Sequence, residues 1–403
     1  MTDKPQVRYL DRTTPPHIST LILLAALPAL SMNMFLPSIP AMAEHFSVDY
    51  KVMQLSVSLY LAVTAVLQLT IGPLSDRYGR RPIILWGGGI FIAATLGCIL
   101  APNAAIFLTF RMLQAVIATG MALSRAVVRD MVPGAEAASM IGYVTMGMSI
   151  SPMIGPFFGG VLDTYFGWQA TFWVLTILGF FLLVVTWVDL GETSTTKNTS
   201  FIAQFKQYPE LLLSRRFWGY ALSATFVSGA FFAYLGGAPF VGEKLFHMNT
   251  IWLGVSFGAV SVGYMIGNFV SGRFSIRIGI NRMILIGTII AICGISCSLI
   301  LFYLGFGSPF VFFAFMPTVG IGNGMALPNA NAGMLSVRPS LAGSAAGLGG
   351  ALQVGGGAAI AAFSGFLLSI ETGVFPLLWL MIITSILGFL SINYVIRRER
   401  GLP

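Results

Sequence analysis

Apolar residues fill this chain in blocks about 18 or more positions long, and the short polar gaps between them hold most of its charge. A helix rises about 1.5 Å per residue, so each block can cross a hydrocarbon core about 30 Å thick. The pattern predicts an all-α membrane protein with twelve spans, at 18–40, 52–74, 82–101, 104–127, 138–162, 168–188, 217–240, 252–272, 283–305, 309–331, 342–370 and 374–396. Two spans, 138–162 and 342–370, are rich in Gly with Pro or Ser, and small residues let helix backbones approach closely in a membrane. The longest polar stretch, 189–216, divides the spans six and six. It predicts an N-terminal six-helix bundle over 1–188, a linker over 189–216 and a C-terminal six-helix bundle over 217–403. Residues 201–216 have the apolar spacing of a helix lying on the membrane surface.

Composition excludes a water-soluble fold: 56% of the 403 residues are hydrophobic and only 9% are charged, against about 25% in soluble domains. The basic residues sort by side. With a cytoplasmic N-terminus, all but three of the 22 Lys and Arg lie on the cytoplasmic side or at span ends facing it; Lys51 and Lys244 lie outside, and Arg111 lies within a span. The excess of basic residues on cytoplasmic loops therefore puts both termini in the cytoplasm. It also accounts for the formal charge of +8 without a nucleic-acid partner, because the charges are dispersed among short loops. Cys98, Cys293 and Cys297 fall in spans with no His or acid near in sequence, so they read as packing residues rather than metal ligands. Neither a metal nor a cofactor is implied. The first apolar segment runs on into Leu36 and Pro37 without a small-residue cleavage site and reads as a span, not a signal peptide.

The halves repeat each other. S-D-R-Y-G-R-R-P-I-I-L from Ser75 is matched by S-I-R-I-G-I-N-R-M-I-L from Ser275, and G-M-A-L occurs at 120–123 and again at 324–327. Pro40 and Pro239 close corresponding polar patches of the first and seventh spans. Duplicated six-span halves resemble the plan of major facilitator transporters, and that resemblance implies a substrate site between the halves near the bilayer midplane.

None of the 14 acidic residues falls within a predicted span, whereas Arg111 does. A charge there costs roughly 2.5–3.5 kcal/mol on the insertion scale, so Arg111 is expected to face a central cavity. Backbone carbonyls, Gln114 one turn on, or an anionic or strongly dipolar ligand would have to serve it; a purely structural arginine is the competing reading. Arg125 and Arg129 suit interfacial anchors. Further polar candidates for the cavity are Asn33, Tyr60, Gln68, Tyr234, Asn268, Asn323, Asn329, Asn331 and Gln353, each of which also suits hydrogen bonding between helices.

Three segments carry recognisable chemistry. G-P-L-S-D-R-Y-G-R-R-P at 72–82 puts Asp76, Arg77, Arg80 and Arg81 into a tight connection, where Gly72 and Gly79 permit close approach and a sharp turn. It closely resembles the loop signature of the major facilitator superfamily. The resemblance implies that Asp76 helps latch the two halves on the cytoplasmic side, with Arg77, Arg80, Arg81 and Asp130 as gating partners; the second copy has Ile276 in place of the acid. S-P-M-I-G-P-F-F-G-G at 151–160, with Gly155, Pro156, Gly159 and Gly160, resembles the antiporter motif of facilitator-type drug exporters and also suits ordinary tight packing. S-M-N-M-F-L-P-S-I-P at 31–40, F-R-M-L-Q-A at 110–115, S-R-A-V-V-R-D at 124–130 and Y-L-G-G-A-P-F-V-G at 234–242 complete a resemblance, over essentially the full chain, to the bicyclomycin/chloramphenicol resistance (Bcr/CflA) family.

That resemblance implies a multidrug exporter of the bacterial inner membrane, monomeric in the lipid bilayer, which uses proton entry to drive small amphipathic compounds out. One departure matters. The family has Asp where this chain has Asn33, and Asn cannot titrate. Three explanations stay open: an engineered replacement of a proton-binding Asp, coupling through another group, or no coupling. A proton-independent facilitator or an importer of a polar metabolite such as a nucleoside is the alternative on the same fold. A polytopic membrane enzyme would gather acids, His or metal ligands at one face, but here the acids are scattered and the three His are far apart in sequence.

Overall fold

The computed structural model describes residues 7–132, 134–194, 208–338 and 341–400, and the regular secondary structure among them is all helical. The spans are α1 (Ile18–His45), α2 (Tyr50–Tyr78), α3 (Arg80–Ile99), α4 (Ala104–Met131), α5 (Gly134–Phe166), α6 (Gln169–Asp189), α7 (Arg215–Leu245), α8 (Thr250–Ile278), α9 (Ile280–Tyr303), α10 (Pro309–Val337), α11 (Ala342–Leu367) and α12 (Phe375–Arg400). Among the described residues eleven of these are long and apolar enough to cross a membrane, and α5, at 33 residues, has the length to do so. The helices begin and end within a few residues of the expected spans. The exception is the surface helix expected at 201–216: only Tyr208–Leu212 forms a separate short helix, Arg215 and Arg216 are already the first turn of α7, and residues 195–207 lie outside the described residues.

The internal repeat has a geometric counterpart. Helices α2 and α8 are both 29 residues long. Each ends at a glycine in the left-handed region, Gly79 at φ 98° and Gly279 at φ 89°, and the next helix starts at the following residue. Each of these glycines donates its N–H to the carbonyl of a serine four positions back, Ser75 or Ser275, at 2.9 Å. Only glycine adopts this φ without strain, so the one-residue connection explains its place in both copies.

The packing repeats as well. Within the first six helices α1 packs on α4 and α5, α3 on α4 and α6, and α2 on α4; within the second six α7 packs on α10 and α11, α9 on α10 and α12, and α8 on α10. Two seams join the sets, α5 against α8 and α2 against α11. Away from the termini one apolar core runs through both sets, with Phe35, Met53, Phe107 and Phe172 joined to Ala233, Leu253, Phe312 and Leu377. Towards the termini the core separates in two. Leu21, Leu24, Val127 and Leu182 form one part, and Phe217, Ile284, Met334 and Val395 the other, with Leu69 of α2 reaching across. The molecule is thus sealed at the face opposite its termini and divided on the terminal side.

Candidate functional site

Arg111, on the first part of α4, is wholly enclosed by the first six helices. It is 1% exposed. Its Nη2 donates to the Ser31 carbonyl at 3.1 Å, Nη1 to Ser31 Oγ at 3.3 Å and to Gln114 Oε1, and Nε to the Ser56 carbonyl at 3.4 Å. The rings of Phe35 and Tyr60 cover the two faces of the guanidinium, each 4.2 Å from its carbon. Gln114 passes the connection on by donating to Thr95 Oγ1 at 2.8 Å. One side chain therefore ties α1, α2 and α4 together, and α3 through Gln114. The charge needs no carboxylate because carbonyl dipoles and two ring faces replace its hydration shell.

The structure brings Tyr60, Arg111 and Gln114 together but leaves the other predicted positions elsewhere. Asn33 is buried in α1 and donates to the Ala29 carbonyl of its own helix at 2.6 Å. Tyr234 is buried in the second six helices against Phe257, with its hydroxyl donating to the Ser256 carbonyl at 3.4 Å. Asn323 is buried, and its Oδ1 has no hydrogen-bond partner among the described residues. Gln68 lies at the α2–α11 seam against Gly350, and Gln353 is half-buried on α11. Asn329 bonds Ser271 Oγ at 2.8 Å, Asn268 bonds the Tyr264 carbonyl, and Asn331 is exposed. Cys98 is buried, whereas Cys293 and Cys297 point outward from α9 instead of packing inside.

The 151–160 segment of α5 presents two neighbouring rows, each with residues four apart. Gly155 and Gly159 face α1, where Gly159 lies against the carbonyl of Met34, next in sequence to Asn33. Pro156 and Gly160 face α8: Gly160 meets the Thr250 carbonyl, and Gly254 of α8 meets the Pro156 carbonyl. Ser151 anchors the same helix by donating to the Ala26 carbonyl at 3.0 Å.

At the terminal face Asp76 pairs with Arg80 at 2.6 Å, and Arg80 Nε reaches Asp130 at 3.2 Å. Arg81 donates to the carbonyls of Leu190 and Trp187 and stacks over the Trp187 ring at 5.0 Å. Arg77 lies over Tyr78. Among the described residues every one of these partners belongs to the first six helices or the segment following them. Glu192, not a predicted site residue, accepts from the Arg80 and Arg81 backbone N–H groups. Asp189 is wholly buried and accepts from Leu10 N, His17 N and Thr20 Oγ1. The second set has an analogous fastening at Glu399, which holds Arg216 at 2.6 Å, Tyr220 Oη at 3.0 Å and Asn281 Nδ2 at 2.5 Å. The acids stay outside the apolar runs but not outside the helices: α5 and α7 extend past their runs to include Asp163 and Glu243, just as the ends of α1, α2, α4, α6 and α12 include Glu44, Asp76, Asp130, Asp189 and Glu399.

Opposite the termini, groups that sequence alone did not single out close the two sets on each other. Tyr50 Oη donates to the Gly236 carbonyl at 2.8 Å, and Gln54 Nε2 to the Ala361 carbonyl at 2.6 Å. Lys244 pairs with Glu44, and Lys51 Nζ lies over the Phe366 ring. The two basic residues assigned outside, Lys51 and Lys244, are thus both part of this closure. Tyr50→Phe combined with Gln54→Ala removes two buried bonds worth together about 2 kcal/mol, so the ratio of closed to open molecules should fall roughly thirtyfold. Spin-label distances between the outer ends of α1 and α7 would read this; an unchanged distribution would show that these bonds do not hold the face shut.

Comparison with known proteins agrees with this architecture. A profile of the Major Facilitator Superfamily matches residues 21–362. An uncharacterized MFS-type transporter, YdgK, of Bacillus subtilis (strain 168) is 31% identical over 380 residues, 92% of each chain. A chloramphenicol resistance protein of Pseudomonas aeruginosa is 31% identical over 77% of this chain and 74% of its own. Among solved structures, a peptide transporter POT crystallised in complex with sulfate superposes with a TM-score of 0.77 over 95% of both chains at 14% identity, a likeness of fold alone. This chain is a multi-pass membrane protein belonging to the Major Facilitator Superfamily of transporters.

Proposed function

We propose that this protein is an exporter of small amphipathic compounds, of the bicyclomycin/chloramphenicol resistance type, in a bacterial inner membrane. The bundles 1–188 and 217–403, joined by 189–216, rock about the two seams, and the state described here opens towards the cytoplasm. The site lies between the halves, with Asn33, Tyr60, Gln68, Arg111, Gln114, Tyr234, Asn323 and Gln353 at or behind it. Asp76, with Arg77, Arg80, Arg81 and Asp130, forms the cytoplasmic gate, released here because its ion pairs stay within one half. The observation that carries the reading is the double row on α5: Gly159 rests on the residue next to Asn33, while Gly160 rests on the other half. Events at position 33 are one helix width from a seam about which the halves turn. The likeness to a protein named for chloramphenicol resistance supports the export of drugs.

Proton coupling rests on position 33. In Asn33→Asp a buried carboxyl, which can take up and release a proton, would replace an amide that cannot, beside the Ala29 carbonyl. Drug addition to the purified Asn33→Asp protein should then release protons and give pH-dependent transport, and the native chain should show less. Identical proton release from the two forms would remove position 33 from the coupling step. Growth of cells expressing each form on a panel of amphipathic antibiotics tests the export reading, which fails if no compound is better tolerated. Asn33 itself favours a second reading, a proton-independent facilitator; counterflow without a proton gradient separates the two.

A further inference from the structure

At the terminal face the start of α7 and the ends of α10 and α12 surround an open cavity of about 470 Å³. Arg215, Arg216, Arg338 and Arg398 line it, beside Ser214 and Leu213. Four guanidinium groups around one open cavity make it strongly positive, with water screening their repulsion. Two carboxylates offset the charge in part: Arg216 pairs with Glu399 at 2.6 Å and Arg338 with Glu210 at 3.1 Å. Among the described residues Arg215 and Arg398 have no ion pair, and Arg216 Nε is buried without a hydrogen-bond partner. Ser214 caps α7 by accepting from Phe217 N, and the N–H groups of Arg215 and Arg216 have no backbone acceptor. The cavity therefore combines two solvent-exposed positive charges that have no ion pair among the described residues with main-chain donors at the positive end of α7.

Planar guanidinium forks and helix-terminal N–H groups together match the several oxygens of a phosphate better than the two of a carboxylate. We propose that this cavity binds a phosphate group, carried either by an anionic phospholipid headgroup or by a soluble phosphorylated compound. The site is separate from the proposed transport path between the halves, because all its lining residues belong to α7 and what precedes it, the end of α10 with Arg338 after it, and α12. Leu213, 83% exposed at its rim, offers apolar surface to an acyl chain. A basic pocket at the cytoplasmic ends of spans is also where anionic headgroups concentrate.

The test uses the full-length protein in a neutral detergent. Its thermal unfolding is followed while short-chain dihexanoylphosphatidylglycerol, dihexanoylphosphatidylcholine or inorganic pyrophosphate is added. At least one of the two phosphate anions should stabilise the protein saturably, and the zwitterionic lipid should not. Arg215→Gln and Arg398→Gln should each weaken that anion about tenfold, as the loss of a charge-assisted contact requires, and Arg397→Gln should leave it unchanged. Stabilisation by phosphatidylglycerol that pyrophosphate does not displace identifies the lipid; displacement by pyrophosphate identifies a soluble phosphate. If a Gln variant fails to fold, the Lys variant at that position, which keeps the charge but not the fork, should bind with intermediate affinity. The proposal is overturned if neither anion stabilises saturably, or if the Arg215→Gln/Arg398→Gln protein binds as tightly as the native one.

Discussion

Arg111→Ala is expected to lower the stability of the detergent-solubilised protein by on the order of 3–5 kcal/mol and to abolish transport of every substrate alike. The truncation leaves the Ser31 carbonyl and Gln114 Oε1 without the arginine's donors and takes an additional bond from the helical Ser56 carbonyl, all in buried surroundings. It also opens a void between the Phe35 and Tyr60 rings, which now sandwich the guanidinium at 4.2 Å on each side. Those rings belong to α1 and α2, so their collapse would move both helices. Arg111→Lys should recover only part of the loss, because an ammonium cannot donate in one plane to Ser31, Ser56 and Gln114 while stacking between two rings. The measurements are thermal unfolding by size-exclusion chromatography and transport in vesicles for anionic, dipolar and cationic compounds. A selective loss of anionic or dipolar substrates at unchanged stability would instead make Arg111 a direct ligand contact.

The second large effect is expected from one added methyl group. At Gly159 a Cβ would overlap the Met34 carbonyl, and backbone cannot move aside as a flexible side chain can. Gly159→Ala must push α5 off α1, at a cost at or above the usual 1–3 kcal/mol of overpacking. Because the next row of the same helix meets α8, the displacement reaches the seam between the halves, and transport should fall with stability. Gly89→Ala and Gly272→Ala are the controls: a Cβ at either meets nothing within 4 Å, so both should behave as the native protein. A Gly159→Ala protein with native melting temperature and transport would mean that the α1–α5 contact is looser than described.

Part of the candidate site was legible before any fold was known. Arg111 stood out as a charge in an apolar run, and Gln114 as a partner one turn away, because helix spacing alone puts the two on one face. Asp130 near the 72–82 loop and the glycine seam of α5 were readable from motif and composition. Ser31, Ser56, Phe35 and Thr95 around Arg111 were not, since nothing in a serine carbonyl or a phenylalanine ring distinguishes it in a chain with 32 Phe. Tyr50 and Gln54 were missed for the same reason: each bonds a backbone carbonyl of the other half, and a carbonyl leaves no mark on the sequence.

What the chain determined by itself is whatever depends on the transfer of residues between water and hydrocarbon, or on one residue's own backbone freedom. The run lengths set the spans, the basic residues carry the expectation of which ends face the cytoplasm, and Gly79 and Gly279 set two matching one-residue turns. Tertiary structure alone decided the rotation of each helix about its axis and the choice of neighbours. That is why Cys293 and Cys297 turn outward, why Asp189 and Glu399 become fastenings at one face, and why Gly159 and Gly160 serve different partners although they are adjacent. In a membrane the surrounding lipid is as apolar as the helices, so hydropathy drives a segment into the bilayer but cannot choose its partner; close packing and a few buried hydrogen bonds make that choice.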